Sequence, residues 1–167
     1  VQTCALPIYI GGRLVATETA GGASKQTTCI TFADDGTPKV TAIYVPAGDL
    51  VERSELEQAV DGDPRVSRLT VTHGPAAPVD PGAVVTSTTT VDLLGRPVSV
   101  TDFAGTTTTT QYDALGNVTT STATPPAGSN AAPLTFTYTY DRQTAQPVTV
   151  SVNGTVIATS RYDATTG

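Results

Sequence analysis

The residues most able to do chemistry are a row of aspartates, Asp92, Asp102, Asp113, Asp141 and Asp163, separated by 10, 11, 28 and 22 positions. Carboxylates in series could bind calcium, which needs roughly six to eight oxygens from groups close together. A pair of them could also serve as acid and base on a glycosidic bond. Each aspartate stands singly, however, and the first three are followed three residues later by Gly95, Gly105 and Gly116. D-x-x-G is the pattern of a type I turn, with Asp first and Gly fourth. The carboxylate accepts a backbone N–H two residues on, and glycine takes the left-handed conformation that re-enters a strand. The spacing therefore predicts turn formers rather than a metal ladder, and no pair stands out as acid and base.

Two closer carboxylate groups, Asp61-Gly62-Asp63 and Asp34-Asp35-Gly36, resemble metal loops, but neither continues into an EF-hand or a nonapeptide calcium repeat. They read as solvated turns. The single histidine, His73, ends an alternating stretch beside Gly74-Pro75, and no G-x-S-x-G elbow accompanies it. It reads as a strand-end residue. Tyr112, Tyr138, Tyr140 and Tyr162 could stack on sugars, which keeps a carbohydrate contact among the expectations. The position of Tyr112, Tyr140 and Tyr162 one residue before an Asp points instead to packing between strands, with a polar tip on each ring. Asn117-Val-Thr119 and Asn153-Gly-Thr155 match the glycosylation sequon by chance. No catalytic, cofactor-binding or metal residue is expected, and no cofactor.

Composition narrows the class. Threonine supplies 33 of 167 residues, while lysine is limited to Lys25 and Lys39 and the net charge is −6. Threonine and valine favour strands. Phosphate binding needs clustered cations, so nucleic acid is not an expected partner. No apolar run reaches the roughly 18 residues of a membrane span. The opening VQTCALPI (1–8) reads as a translated DNA-sequencing adapter and is set aside with its Cys4. Cys29 then stands alone as a small buried thiol. A chain with no Met that stops at Gly167 inside a motif reads as a fragment of a longer protein.

The elements that must position these residues are strands. RPVSVT (96–101), TTTTTQY (106–112) and NVTTST (117–122) lie between the D-x-x-G turns, and a chain turning back every ten residues or so makes antiparallel hairpins. LTFTYTY (134–140) alternates strictly, placing Phe136, Tyr138 and Tyr140 on one face. Asn153-Gly154 predicts a two-residue type I′ turn, pairing Val152 with Thr155, Val150 with Ile157 and Val148 with Thr159. Earlier in the chain, 27–32, 39–45 and 67–73 alternate like strands, ADDG (33–36) forms a turn, and GRLVATET (12–19) echoes GRPVSVTD (95–102). One short helix is expected near 54–60, because Ser54 and Glu57 form a capping-box pattern and Leu56, Ala59 and Val60 fall on one side. The expected organisation is an irregular β-rich region with degraded repeats at 9–73, a Pro/Gly-rich linker at 74–85, and a regular repeat region at 86–167. The fold class is all-β, an antiparallel hairpin meander forming part of an extended curved sheet.

Tyr112-Asp113-Ala-Leu-Gly116-Asn117, its variant Val91-Asp92-Leu-Leu-Gly95-Arg96, and Tyr140-Asp141 and Tyr162-Asp163 resemble the Rhs/YD-repeat family, whose units read Y-D-x-x-G-[RN] about every 20 residues. The likeness is firm over 86–167 and faint over 9–85. Val91 departs from it by replacing Tyr, the unit at Asp141 lacks its Gly, and Asp163 is followed by three residues before Gly167, so altered turns are expected there. The resemblance implies a non-catalytic segment of a large secreted or cell-surface bacterial protein. It would form part of a β-shell that encloses or presents a C-terminal toxin, with neighbouring repeats as its partners. An adhesive stalk of β-sandwiches and an extracellular carbohydrate-active enzyme are the alternatives from other classes.

Overall fold

The computed structural model describes residues 8–11, 13–19, 26–45, 48–74, 80, 83–142 and 144–162. These carry thirteen strands: β1 Ile8–Ile10, β2 Arg13–Thr19, β3 Gln26–Phe32, β4 Pro38–Tyr44, β5 Leu50–Gln58, β6 Val66–His73, β7 Val84–Val91, β8 Pro97–Thr101, β9 Thr107–Tyr112, β10 Val118–Thr124, β11 Leu134–Tyr140, β12 Pro147–Val152 and β13 Thr155–Thr159. The chain divides into two units, Val1–Ser87 and Thr88–Gly167. The fold is all-β, and within each unit successive strands pair antiparallel in chain order as single-sheet meanders. Neither unit's described strands form the two facing sheets that a sandwich needs. No described helix is long and apolar enough to cross a membrane.

In the first unit, β2, β3 and β4 align Ala16, Cys29 and Ala42 in one row, with Arg53 of β5 next in register. Ala16 and Ala42 are buried. Two expectations fail here. Residues 54–60 are not a helix: β5 runs through Gln58, and only a 3-10 turn at Val60–Gly62 follows. Pairing on both sides decides this. Ser54 faces Thr41 and Val71, Leu56 faces Leu69 and Glu57 faces Arg68, and Ser54 Oγ donates across to the Thr41 carbonyl at 3.5 Å instead of capping a helix. Seven residues cannot repay helix nucleation, whereas a central strand gains a ladder on each edge. The second correction concerns Cys29, which is disulfide-bonded and not a lone thiol. The lone-thiol reading depended on setting Cys4 aside, and Cys4 lies outside the described residues.

In the second unit, directly paired residues share a face. One face carries Thr88–Thr101–Thr107–Thr124, then Thr90–Ser99–Thr109–Thr122–Thr135, then Thr139–Thr149–Thr159. Hydroxyls bond across it between Thr101 and Thr107 at 2.9 Å, Thr122 and Thr135 at 3.1 Å, and Thr139 and Thr149 at 2.6 Å. The opposite face is mixed: Val100, Ala123, Leu134, Phe136, Tyr138, Val150 and Val152 share it with Thr89, Thr108, Thr110 and Ser121. A two-faced sheet of this kind explains the dominance of threonine: the β-branched methyl suits the pleat, and the hydroxyl pairs with its neighbour or with water.

One predicted register is corrected. Val152 does face Thr155, but a bulge between Val150 and Ser151 then places Val150 opposite Ala158 and Thr149 opposite Thr159. The extra residue shifts every pair beyond it by one. Ile157 is therefore not the partner of Val150 and remains 61% exposed.

Candidate functional site

The recurring motif builds one local structure three times. At Asp92 the backbone N–H donates to the Arg96 carbonyl at 2.9 Å, and Gly95 N–H donates back to the Asp92 carbonyl at 3.0 Å. Asp102 with Thr106 and Gly105, and Asp113 with Asn117 and Gly116, repeat both bonds within 0.1 Å. Gly95, Gly105 and Gly116 have φ of 78°, 83° and 91°, a region costly for any residue with a Cβ. Each loop is thus a type I turn closed by a left-handed glycine, a common three-residue hairpin connection.

The carboxylates are absorbed by these turns. Asp92 Oδ1 accepts Leu94 N–H at 2.8 Å and Arg96 N–H at 3.0 Å. Asp102 Oδ1 accepts Ala104 and Thr106 N–H, both at 2.9 Å, and Asp113 Oδ1 accepts Leu115 and Asn117 N–H, both at 2.9 Å. The second oxygen is taken by the residue after glycine: Arg96 Nε donates to Asp92 Oδ2 at 2.7 Å, and Asn117 Nδ2 donates to Asp113 Oδ2 at 3.0 Å. The Arg96 backbone N–H, helped by its guanidinium, holds Asp92 below the usual carboxylate range against some desolvation. The Asn117 side chain does the same for Asp113, again against some desolvation, with the backbone N–H groups adding to it.

The altered turn expected beside Val91 is absent, since the Asp92 loop has the same bonds as the other two and the turn geometry does not depend on the residue before Asp. The unit without glycine does have the altered turn expected of it. Its loop is one residue longer, from Asp141 N–H to the Gln146 carbonyl at 2.9 Å, and Ala145 takes the left-handed position at φ 55°. Asp141 Oδ1 accepts Thr144 N–H at 2.9 Å and its hydroxyl at 3.1 Å. Asp163 lies outside the described residues.

The remaining candidates also sit in local structure. Asp35 Oδ1 accepts Thr37 N–H at 2.8 Å beside the turn bond from Gly36 to Ala33. Asp63 binds Arg65 through both oxygens, at 3.1 Å to Nε and 2.8 Å to Nη2, and the Arg65 side chain lowers its pKa to about 2. His73 Nδ1 lies 3.9 Å from Glu52 Oε2 on the facing strand. Asn153, at φ 47°, forms the expected turn with Gly154 at φ 82°, and its Oδ1 accepts Thr135 N–H at 2.8 Å. Among the described residues, no three His, Cys, Asp or Glu side chains come together as a metal site.

Two features lie beyond what the motif spacing predicts. One is the capture of a second backbone N–H, four residues on, together with the Arg or Asn side chain beside it. The other is the destination of the tyrosine hydroxyls. Tyr112 Oη donates to the Pro97 carbonyl, Tyr140 Oη to Val118 and Tyr162 Oη to Pro147, all at 2.8 Å. The Arg96 guanidinium also lies 4.4 Å from the centre of the Tyr112 ring. The recurrence of Arg or Asn after the motif glycine is the only signal for the first, and local sequence holds none for the second.

The family model described as RHS Repeat matches residues 91–129, the stretch that contains all three regular turns. No curated protein matches the chain in sequence. Among solved structures, the chain is similar over 86% of its length, at 14% identity and a TM-score of 0.38, to a chain in the crystal structure of TcdB2-TccC3 without its hypervariable C-terminal region. It spans 10% of that chain. With the turn geometry and the family match both falling within residues 91–129, the chain carries an RHS repeat there.

Proposed function

We propose that the chain is a non-catalytic wall segment of a larger RHS-repeat protein, secreted or displayed on a bacterial surface, whose sheet helps enclose or present a C-terminal toxin. The observation that carries this reading is the use of the motif carboxylates. Asp92 and Asp113 spend both oxygens inside their own loops, and Asp102 closes two backbone N–H groups. A general acid or a metal ligand needs an oxygen aimed outward. A sheet with one hydroxyl-lined face and an opposite face that carries the larger apolar side chains suits a wall, because each face can meet a different environment.

Limited proteolysis of the full-length protein tests the proposal. The polypeptide following the repeats should resist cleavage in the native protein and become sensitive when mild denaturant opens the sheet. Cleavage at free-chain rates in the native state would remove the enclosing role.

A further inference from the structure

We infer that the tyrosine of each repeat is a latch on the repeat before it, so that a repeat's turn becomes rigid only when its successor has docked. This rests on reading the chain as a repeat array and is independent of any enclosed toxin. The acceptors of the three hydroxyls occupy one structural position. Pro97 follows the loop at 92–96, Val118 follows the loop at 113–117, and Pro147 follows the loop at 141–146. The sequence separation between acceptor and tyrosine is 15, 22 and 15 residues, yet the bond stays at 2.8 Å. The Asp141 loop is a residue longer than the others, and its latch still falls on the first strand residue after the loop. The contact therefore follows the architecture and not a sequence interval.

The place of the acceptor gives the reason. Pro97 faces Val91, Val118 faces Tyr112 and Pro147 faces Tyr140, and the register slips beside each of these pairs. A bulge interrupts the regular ladder, and a carbonyl at such a point gains from a donor supplied elsewhere. That donor comes from the next repeat. Arg96 adds a second tie between the same two repeats, since it binds Asp92 in its own loop and covers the Tyr112 ring of the next. The motif thus divides its labour, with Asp closing its own turn and Tyr closing the preceding one. Nearest-neighbour coupling then acquires a direction.

Hydrogen exchange by NMR on the whole chain tests this with two variants that keep the aromatic ring. Tyr112→Phe should speed exchange at the amides of Leu94, Gly95 and Arg96 by about five- to tenfold, the loss of one hydrogen bond, and leave Leu115, Gly116 and Asn117 near their original rates. Tyr140→Phe should give the reverse pattern, with Leu115, Gly116 and Asn117 accelerated. Acceleration at the tyrosine's own turn, a uniform rise across both turns, or no change in either variant would overturn the inference.

Discussion

At the scale of single residues, the motif is a set of backbone solutions, and its glycines and aspartates carry opposite kinds of risk. A Cβ placed on Gly116, which stands at φ 91°, would meet nothing closer than Arg96 Nη1 at 3.6 Å, so space is not its constraint. Conformation is. Gly116→Ala should cost about 1–2 kcal/mol in urea unfolding, the penalty for a side chain in the left-handed region. Ala145 at φ 55° already bears that penalty, so Ala145→Gly should be neutral or gain up to about 1 kcal/mol despite the greater freedom of glycine when unfolded. Equal losses from both substitutions would contradict the conformational account. The aspartates answer to pH. Asp92 and Asp113 titrate lower in the folded chain than in the unfolded one. Their stabilisation is therefore present above the unfolded carboxylate pKa of about 3.9 and fades as pH falls through the lower folded values. Carbonyl-detected NMR titration should place both below that reference. A titration at or above it would show that the loop bonds do not hold the charged form.

At the scale of elements, the hairpins between D-x-x-G turns were legible because the signal is local. Asp and Gly at the first and fourth positions specify a turn, and a turn of known length sets the register of its strands. The failures share a cause in the same physics. Nothing near Ser54 reports that Thr41 and Val71 will flank it, so the local capping pattern suggested a helix where long-range pairing makes a strand. The bulge at Val150 and Ser151 is likewise invisible in a sequence that alternates through it. The tyrosine hydroxyls reach carbonyls at least 15 residues away, beyond any local pattern. The strand assignment of β5 has a sharp test in Glu55→Pro. Proline is tolerated at the first position of a helix capped by the preceding serine. In a strand paired on both sides it removes a ladder N–H and leaves the facing carbonyl without its donor, costing roughly 1–3 kcal/mol. A urea midpoint unchanged by Glu55→Pro would count against β5 as a central strand.

At the scale of the molecule, stability is distributed along the sheet instead of being gathered in a core. Among the described residues the buried apolar side chains are Ala16, Ala42 and Val60, and no large side chain is fully buried. Each strand then depends on its neighbours' ladders, and the last strand in the order depends on one. β13 is that strand, paired through β12 and exposed at every residue. It carries no charge and no proline, and Val156 and Ile157 are 56% and 61% exposed. Natural edges are guarded by charges, prolines or bulges because a bare edge accepts further strands. Here the bulge lies in the β12–β13 pairing, and no other described strand pairs with the outer side of Thr155–Thr159. Ile157→Lys should therefore change the stability of the isolated chain by no more than about 0.5 kcal/mol, as an exposed substitution does. It should at the same time suppress concentration-dependent association in sedimentation velocity, because a lysine on the edge opposes pairing with another strand. Association undiminished by the lysine would place the adhesive surface elsewhere on the sheet, and a large loss of stability would mean that Ile157 packs against structure that its exposure does not show.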